Sequence, residues 1–173
     1  MEFTRTELYY LINHRTGVLW LAYADLSEAN LEYCPLSGAI LVGATLEAAN
    51  LQHVDLQNAN LYGAILIKAN LRQANLAGAN LQGVDLLDAH LGGAKLTGVQ
   101  IQDRQFLRAK YWIGATMPDG SHYDGRYRLK GDLVAADVDR ADRSDPAAMA
   151  AMYKVPLEEY QKGQLWADQN LKD

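Results

Sequence analysis

From Leu26 to Leu96 a leucine stands at every fifth residue, fifteen times without a break. An α-helix returns a side chain to one face every ~3.6 residues and a strand every ~2. A chain that keeps a period of five through "ANLRQANLAGANLQGVDL" (69–86) therefore builds some other regular object. Two residues before each of these centres, over positions 24 to 99, stand twelve Ala, three Val (54, 84, 99) and Cys34. The residue just before the centre is Asn or Asp at 25, 30, 50, 55, 60, 70, 75, 80 and 85.

Each unit alternates inward and outward like a strand and then turns a corner. The leucine and the small residue point inward, and the other three point outward. One unit cannot bury its leucine alone, but stacked coils can. A fully buried leucine contributes about 1.5–3 kcal/mol of transfer free energy. Coils stacked at ~4.8 Å leave little room at the small position. Cys34 reads there as a buried, inert thiol standing in for Ala. Ile101, Phe106 and Tyr111 continue the register, so the repeat spans 24–113 as 18 units. Arg104 occupies a small position and marks the end at which the solenoid is expected to fray.

The A(N/D)LXX run, as in "AANLQHVDLQNANLYGA", resembles the pentapeptide-repeat family. The resemblance implies an all-β solenoid, a right-handed quadrilateral β-helix of about four and a half coils with one unit per side. Pro35, Ile40, Thr45, Ile65, His90 and Lys95 depart from Asn/Asp before the centre.

A solenoid ends in an open edge and an exposed core, so flanking segments must cover it. Residues 1–23 form the expected N-terminal cap, with Leu8, Leu11 and Ile12 on one face of a helix over "TRTELYYLINH". Residues 114–173 form a C-terminal appendage. "MPDGSHYDGRYRL" reads as turns and a hairpin-like excursion. "GDLVAADVDRAD" reads as a short helix, and "SDPAAMAAMYKVPLEEYQKGQLWADQNL" as two more. Asp145 caps the first of that pair, with Pro146 at its first position; the second starts at Pro156. The apolar faces of these C-terminal helices are expected to pack on the solenoid.

A formal net charge of −5 argues against a protein held on phosphates or on a polybasic membrane contact. "MAAMYKVPLEEYQKG" has helix-turn-helix spacing, but its second helix would open with Glu158 and Glu159, which phosphates repel. No direct nucleic-acid binding and no membrane contact are expected. One cysteine excludes an intrachain disulfide. His53 and His90 share a side two coils apart, too far to share a metal. No Walker, Rossmann or EF-hand pattern occurs. The chain reads as a non-enzyme without cofactor or metal. "GVLWLAYADL" ends in Ala22-Tyr23-Ala24, a signal-peptidase-like site, but Glu2 and Glu7 precede it and cleavage would cut into the repeat. A cytoplasmic location is expected.

Reading every twentieth residue gives outward columns. The side centred on Leu26, Leu46, Leu66, Leu86 and Phe106 carries a candidate acidic face of Asp25, Glu28, Glu47, Asp85 and Asp88. It also carries an apolar stripe of Ile65, Ile67, Leu87 and Leu107, the candidate interface. A stripe of this kind marks an interaction site; the C-terminal helices, a second copy in a homodimer, or a partner protein would cover it. The C-terminal helices are the expected cover. Lys68, Asp88 and Arg108 read as an ion-pair row, and Asn30, Asn50 and Asn70 as an amide ladder. The expected function is a protein-binding or scaffolding module with an unidentified partner. The alternative implied by the resemblance is a DNA mimic that modulates a type II topoisomerase such as gyrase and alters quinolone sensitivity.

Overall fold

The inward pair of each unit organises the molecule. The in-register leucines from 26 to 96 are all buried, as are the small residues from Ala39 to Val99. The computed structural model describes residues 5–14, 16–127, 129–139 and 141–171. Residues 1–4, where the expected N-terminal cap begins, lie outside the described residues, and so does Arg15.

Each residue just before a centre pairs in parallel with the residue twenty positions later: Asp25 with Thr45, Asn30 with Asn50, Pro35 with Asp55, Ile40 with Asn60. Four units of five thus return the chain to its starting side, one coil higher. The hydrogen bonds alternate in direction. The Leu31 N–H donates to the Asn50 carbonyl at 2.8 Å, and the Asn50 N–H donates back to the Ala29 carbonyl at 2.9 Å. Corners are four-residue turns closed from the small residue, as where the Ala39 N–H donates to the Leu36 carbonyl at 3.0 Å. The third residue of each such turn takes a positive φ, 66° at Gly38 and 55° at Ala48. That requirement explains the glycines at 38, 43, 63, 78, 83, 93 and 98.

Pairing begins with Trp20 and Ile40, one unit ahead of Ala24, and Leu21 is a buried centre. Pro35 lies on the first full coil. It brings no N–H to the edge that faces away from Asp55, where a ladder donor would meet no further coil.

The solenoid does not end at Arg104. Residues 103–106 form a single helical turn, α2 (Asp103–Phe106), that keeps Phe106 inward and leaves Arg104 exposed. Past Ala109 the chain carries one extra residue, and the pairing offset becomes 21: His90 pairs with Tyr111 and Lys95 with Thr116. The centre expected at Tyr111 is therefore Trp112, which is fully buried. Tyr111 takes the outward ladder position, and its ring lies 4.5 Å from that of His90. The extra residue seats the indole of Trp112 inward and leaves the Tyr111 ring, with its hydroxyl, half-exposed on the outside.

Helix α1 (Arg5–Asn13) buries Leu8 and Ile12 beside Leu19 and Leu21. Leu11, expected on the same face, is exposed. The i, i+4 pair defines the narrow buried stripe, and Leu11 falls at its edge. At the other end, Met117 and Ser121 close a turn at 2.7 Å, and Thr116 pairs antiparallel with His122. Then come α3 (Lys130–Val138), α4 (Pro146–Tyr153) and α5 (Leu157–Asn170). The Asp145 carboxylate accepts from the Ala147 N–H at 2.9 Å, which starts α4. Rings knit this end together: Trp112 edge-on to Phe106 at 4.9 Å, Tyr123 to Tyr153 at 5.6 Å, and Tyr127 to Trp166 at 5.4 Å. Among the described residues, no helix is long and apolar enough to cross a membrane.

Candidate functional site

The outward positions of the solenoid are what the chain presents to other molecules. On the side centred on Leu26, Leu46, Leu66, Leu86 and Phe106, Asp25, Glu28, Glu47 and Asp88 are exposed and Asp85 is half-buried. The Ser27 hydroxyl donates to Asp25 at 2.6 Å and the Ser27 N–H at 3.0 Å, and both hold the Asp25 carboxyl below its usual range. Asp85 accepts from the Leu87 N–H at 3.0 Å and lies 3.3 Å from Arg108 Nη1. Arg108 thus pairs with Asp85, whereas the column of Lys68, Asp88 and Arg108 had suggested Asp88 as its neighbour. The acidic residues fall into two groups, 25/28/47 and 85/88, with Ile65, Ile67 and Lys68 between them.

The apolar stripe runs up the same side. Ile65, Leu87 and Leu107 are 37%, 39% and 43% exposed, and Ile67 is half-buried. The C-terminal helices do not cover these residues, contrary to expectation. Most of their apolar side chains (Met149, Met152, Tyr153 and Tyr160, with Val155 between the helices) are buried in the ring cluster beyond the last coil instead, while Val134, Leu157 and Leu165 stay exposed.

The amide ladder is present. Asn50 Nδ2 donates to Asn30 Oδ1 at 3.2 Å and Asn70 Nδ2 to Asn50 Oδ1 at 3.3 Å. Each Oδ1 also accepts from the N–H two residues on, as Asn50 does from Gln52 at 3.2 Å. Asp serves that second bond as well as Asn does, which is why both occupy the position. The ladder is structural.

Cys34 differs from the reading of it as a buried thiol. It is half-buried at the rim of a groove of about 720 Å³ between α1 and the first coil, lined also by Leu8, Ile12, Ala29 and Tyr33. Burial still pushes its thiol pKa up, which disfavours the nucleophilic thiolate. His53 stacks on Tyr33 at 4.7 Å. Among the described residues, no three His, Cys, Asp or Glu are grouped to hold a metal.

One surface escaped the column reading. The side centred on Leu21, Leu41, Leu61, Leu81 and Ile101 carries no Asp, Glu, Lys, Arg or His at its outward positions from Trp20 to Gln102. Trp20, Tyr23 and Tyr62 on it are 70%, 74% and 53% exposed. The signal for it in the sequence is the unit at Leu21, which precedes Ala24.

The family model for pentapeptide repeats (8 copies) matches residues 21–63 and again 64–103. Among solved structures, the chain is similar to HetL, a pentapeptide-repeat protein involved in heterocyst differentiation regulation in the cyanobacterium Nostoc. The two are 35% identical over 59% of this chain and 48% of HetL, with a TM-score of 0.52. A pentapeptide-repeat protein of the cyanobacterium Cyanothece is 38% identical over 54% of this chain and 64% of its own, with a TM-score of 0.50. In both cases the match spans less than two thirds of the relative's length. QnrB1, a plasmid-mediated fluoroquinolone resistance protein, is 16% identical over 70% of this chain and 72% of its own, with a TM-score of 0.31. No curated protein matches the chain by sequence. Repeat model, five-residue register and twenty-residue pairing coincide on the same residues, and through them this chain belongs to the pentapeptide-repeat family.

Proposed function

We propose that the chain is a non-enzymatic, cytoplasmic binding module that presents one side of its solenoid to a protein partner. The observation that carries this reading is the stripe of Ile65, Leu87 and Leu107, exposed one coil apart and flanked by the exposed carboxylates of Glu47 and Asp88. Stacked aliphatic side chains in an acidic border suit a partner that offers apolar side chains within a basic rim. In this reading the solenoid is a rigid rod of nearly five coils. Helix α1 covers one end, and the hairpin with α3–α5 covers the other. The involvement of HetL in the regulation of heterocyst differentiation agrees with a protein that acts by binding.

The DNA-mimic alternative needs a long continuous acidic face. Here Ile65, Ile67 and Lys68 interrupt the acids, and Arg108 neutralises Asp85. The likeness to QnrB1 is too distant to argue for it.

Affinity capture from host extract with the full chain, compared with Leu87→Asp and with Thr97→Asp on another side, tests the reading. A partner kept by the wild type and by Thr97→Asp but lost by Leu87→Asp is expected. Identical capture by all three would reject the stripe as the binding site. In a gyrase supercoiling assay the protein is expected to have no effect, and inhibition would favour the DNA mimic.

A further inference from the structure

The first coil ends in an open strand edge. One coil higher, the Asn50 N–H donates down to the Ala29 carbonyl, and the Asn50 and Gln52 carbonyls accept from Leu31 and Tyr33 below at 2.8 and 3.1 Å. The equivalent groups of the first coil have no coil beneath them. Among the described residues, the N–H groups of Asp25 and Asn30 and the carbonyls of Asp25, Ser27, Asn30 and Glu32 meet no hydrogen-bond partner. A row of this kind is a template for one more strand.

Beside the row lies the groove between α1 and the first coil, walled by Leu8, Ile12, Leu26 and Leu31. The core is open at this level. Ala29 and Cys34 are partly buried, whereas the inward small residues from Ala39 to Val99 are all buried. Unpaired main chain and accessible core thus stand together at one end of the rod.

We infer that this edge takes an extended, basic segment of another protein, which adds a strand beneath residues 25–33. The added strand would bond to the free main-chain groups, and its alternate side chains would enter the groove. Charge selects this occupant. Asp25, Glu28 and Glu32 line the groove, and no Lys, Arg or His stands among the described residues that line it. A second copy would bring the same acids to the same edge, on a chain of net charge −5, so like charges oppose a symmetric contact. Lysine or arginine on either side of a short apolar strand meets the acids with opposite charge instead.

The probe is a synthetic peptide, blocked at both ends, that carries the sequence of residues 69–76 (ANLRQANL) between pairs of lysines. Its leucine N–H groups have the five-residue spacing of the Asp25 and Asn30 carbonyls. Cys34, the chain's one cysteine, stands at the groove and is the reporter. Titration of the full chain, read by fluorescence anisotropy of the peptide, is expected to saturate. Bound peptide should slow maleimide labelling of Cys34 by about fivefold or more, since access limits a half-buried thiol. A chain with Glu28→Lys and Glu32→Lys together should bind about tenfold more weakly and should gain binding of a glutamate-flanked peptide, a swap that a folding defect would not produce. N-methylation of the peptide leucines removes the strand donors, keeps the side chains, and should abolish binding. Leu87→Asp should bind as the wild type does, which separates this edge from the apolar stripe. Absence of saturable binding overturns the proposal, and so does binding that leaves Cys34 labelling unchanged or survives N-methylation. A peptide that binds only after residues 1–4 are deleted would make the chain's own N-terminal segment the occupant. A dimer that the peptide dissociates would make it a second copy. Either result also overturns the proposal.

Discussion

Leu66 and Ala64 share one cross-section of the rod, and both are fully buried. The coils above and below are fixed by backbone bonds on the same side: the Leu46 N–H donates to the Ile65 carbonyl at 2.7 Å, and the Leu66 N–H to the Asp85 carbonyl at 2.8 Å. The section can therefore neither collapse around a cavity nor swell around an added side chain. Leu66→Ala is expected to cost about 2–5 kcal/mol. Ala64→Leu, which overfills the same section, is expected to cost about 1–3 kcal/mol or more. Thermal or urea melts check both. A neutral result at either position would mean that the inward register is misassigned.

At the scale of elements, α2 shows how the solenoid survives a local break. By the ladder rule the Val84 carbonyl should accept from the backbone N–H of residue 105. That N–H is turned into α2 instead, where it donates to the Gln102 carbonyl at 2.9 Å. The Gln105 side chain takes its place. Nε2 donates to the Val84 carbonyl at 2.8 Å and to the Leu81 carbonyl at 3.1 Å, and Oε1 accepts from the Gln102 N–H at 3.0 Å. Gln105 is itself buried. Gln105→Ala should cost about 1–3 kcal/mol by orphaning the Val84 carbonyl and removing one of the two donors to the Leu81 carbonyl. Gln105→Glu should cost more at neutral pH, because a carboxylate would face those carbonyls without a proton to donate. Denaturant melts of the two variants rank them. Wild-type stability in both would show that α2 does not depend on this side chain.

For the whole molecule, the joint between solenoid and appendage is a buried carboxyl. Asp132 on α3 is fully enclosed. It accepts from the Tyr123 hydroxyl at 2.8 Å and more weakly from the Trp112 N–H at 3.5 Å, and the Tyr153 hydroxyl of α4 also faces it. Gly131 beside it allows the close approach of α3, since a Cβ there would overlap the Lys110 carbonyl oxygen. Desolvation raises the Asp132 pKa from 3.8 to about 6, against the opposing pull of its hydrogen bonds. The folded state therefore holds this proton more tightly than the unfolded chain does. Stability associated with Asp132 is greatest below pH ~4 and falls as pH rises to ~6, by roughly 3 kcal/mol. Asp132→Asn, which keeps the shape without the titration, should flatten that part of the stability–pH curve. The check is a set of urea melts between pH ~4 and ~7, with an unchanged slope in the variant counting against the assignment.

The period of five, the inward pairing of leucine with a small residue and the glycine-rich corners were legible from the sequence alone. Each depends on contacts within one unit or between identical neighbours, so a local pattern suffices. The start of α4 at Asp145 and the turn after Met117 were legible for the same reason: a cap and a tight turn are made by residues a few positions apart. What lay beyond the sequence depends on packing between distant segments. Large apolar residues at 101, 106 and 111 keep the period, yet the core accepts Trp112 instead of Tyr111, because one extra residue after Ala109 moves the pairing on by one. Cys34 occupies an inward position but is half-open, because the cover given by α1 stops short of it. The stripe at Ile65, Leu87 and Leu107 looked coverable by apolar helices. Only the tertiary structure decided that those helices bury most of their apolar side chains around Trp112 and Tyr123, and so leave the stripe to solvent.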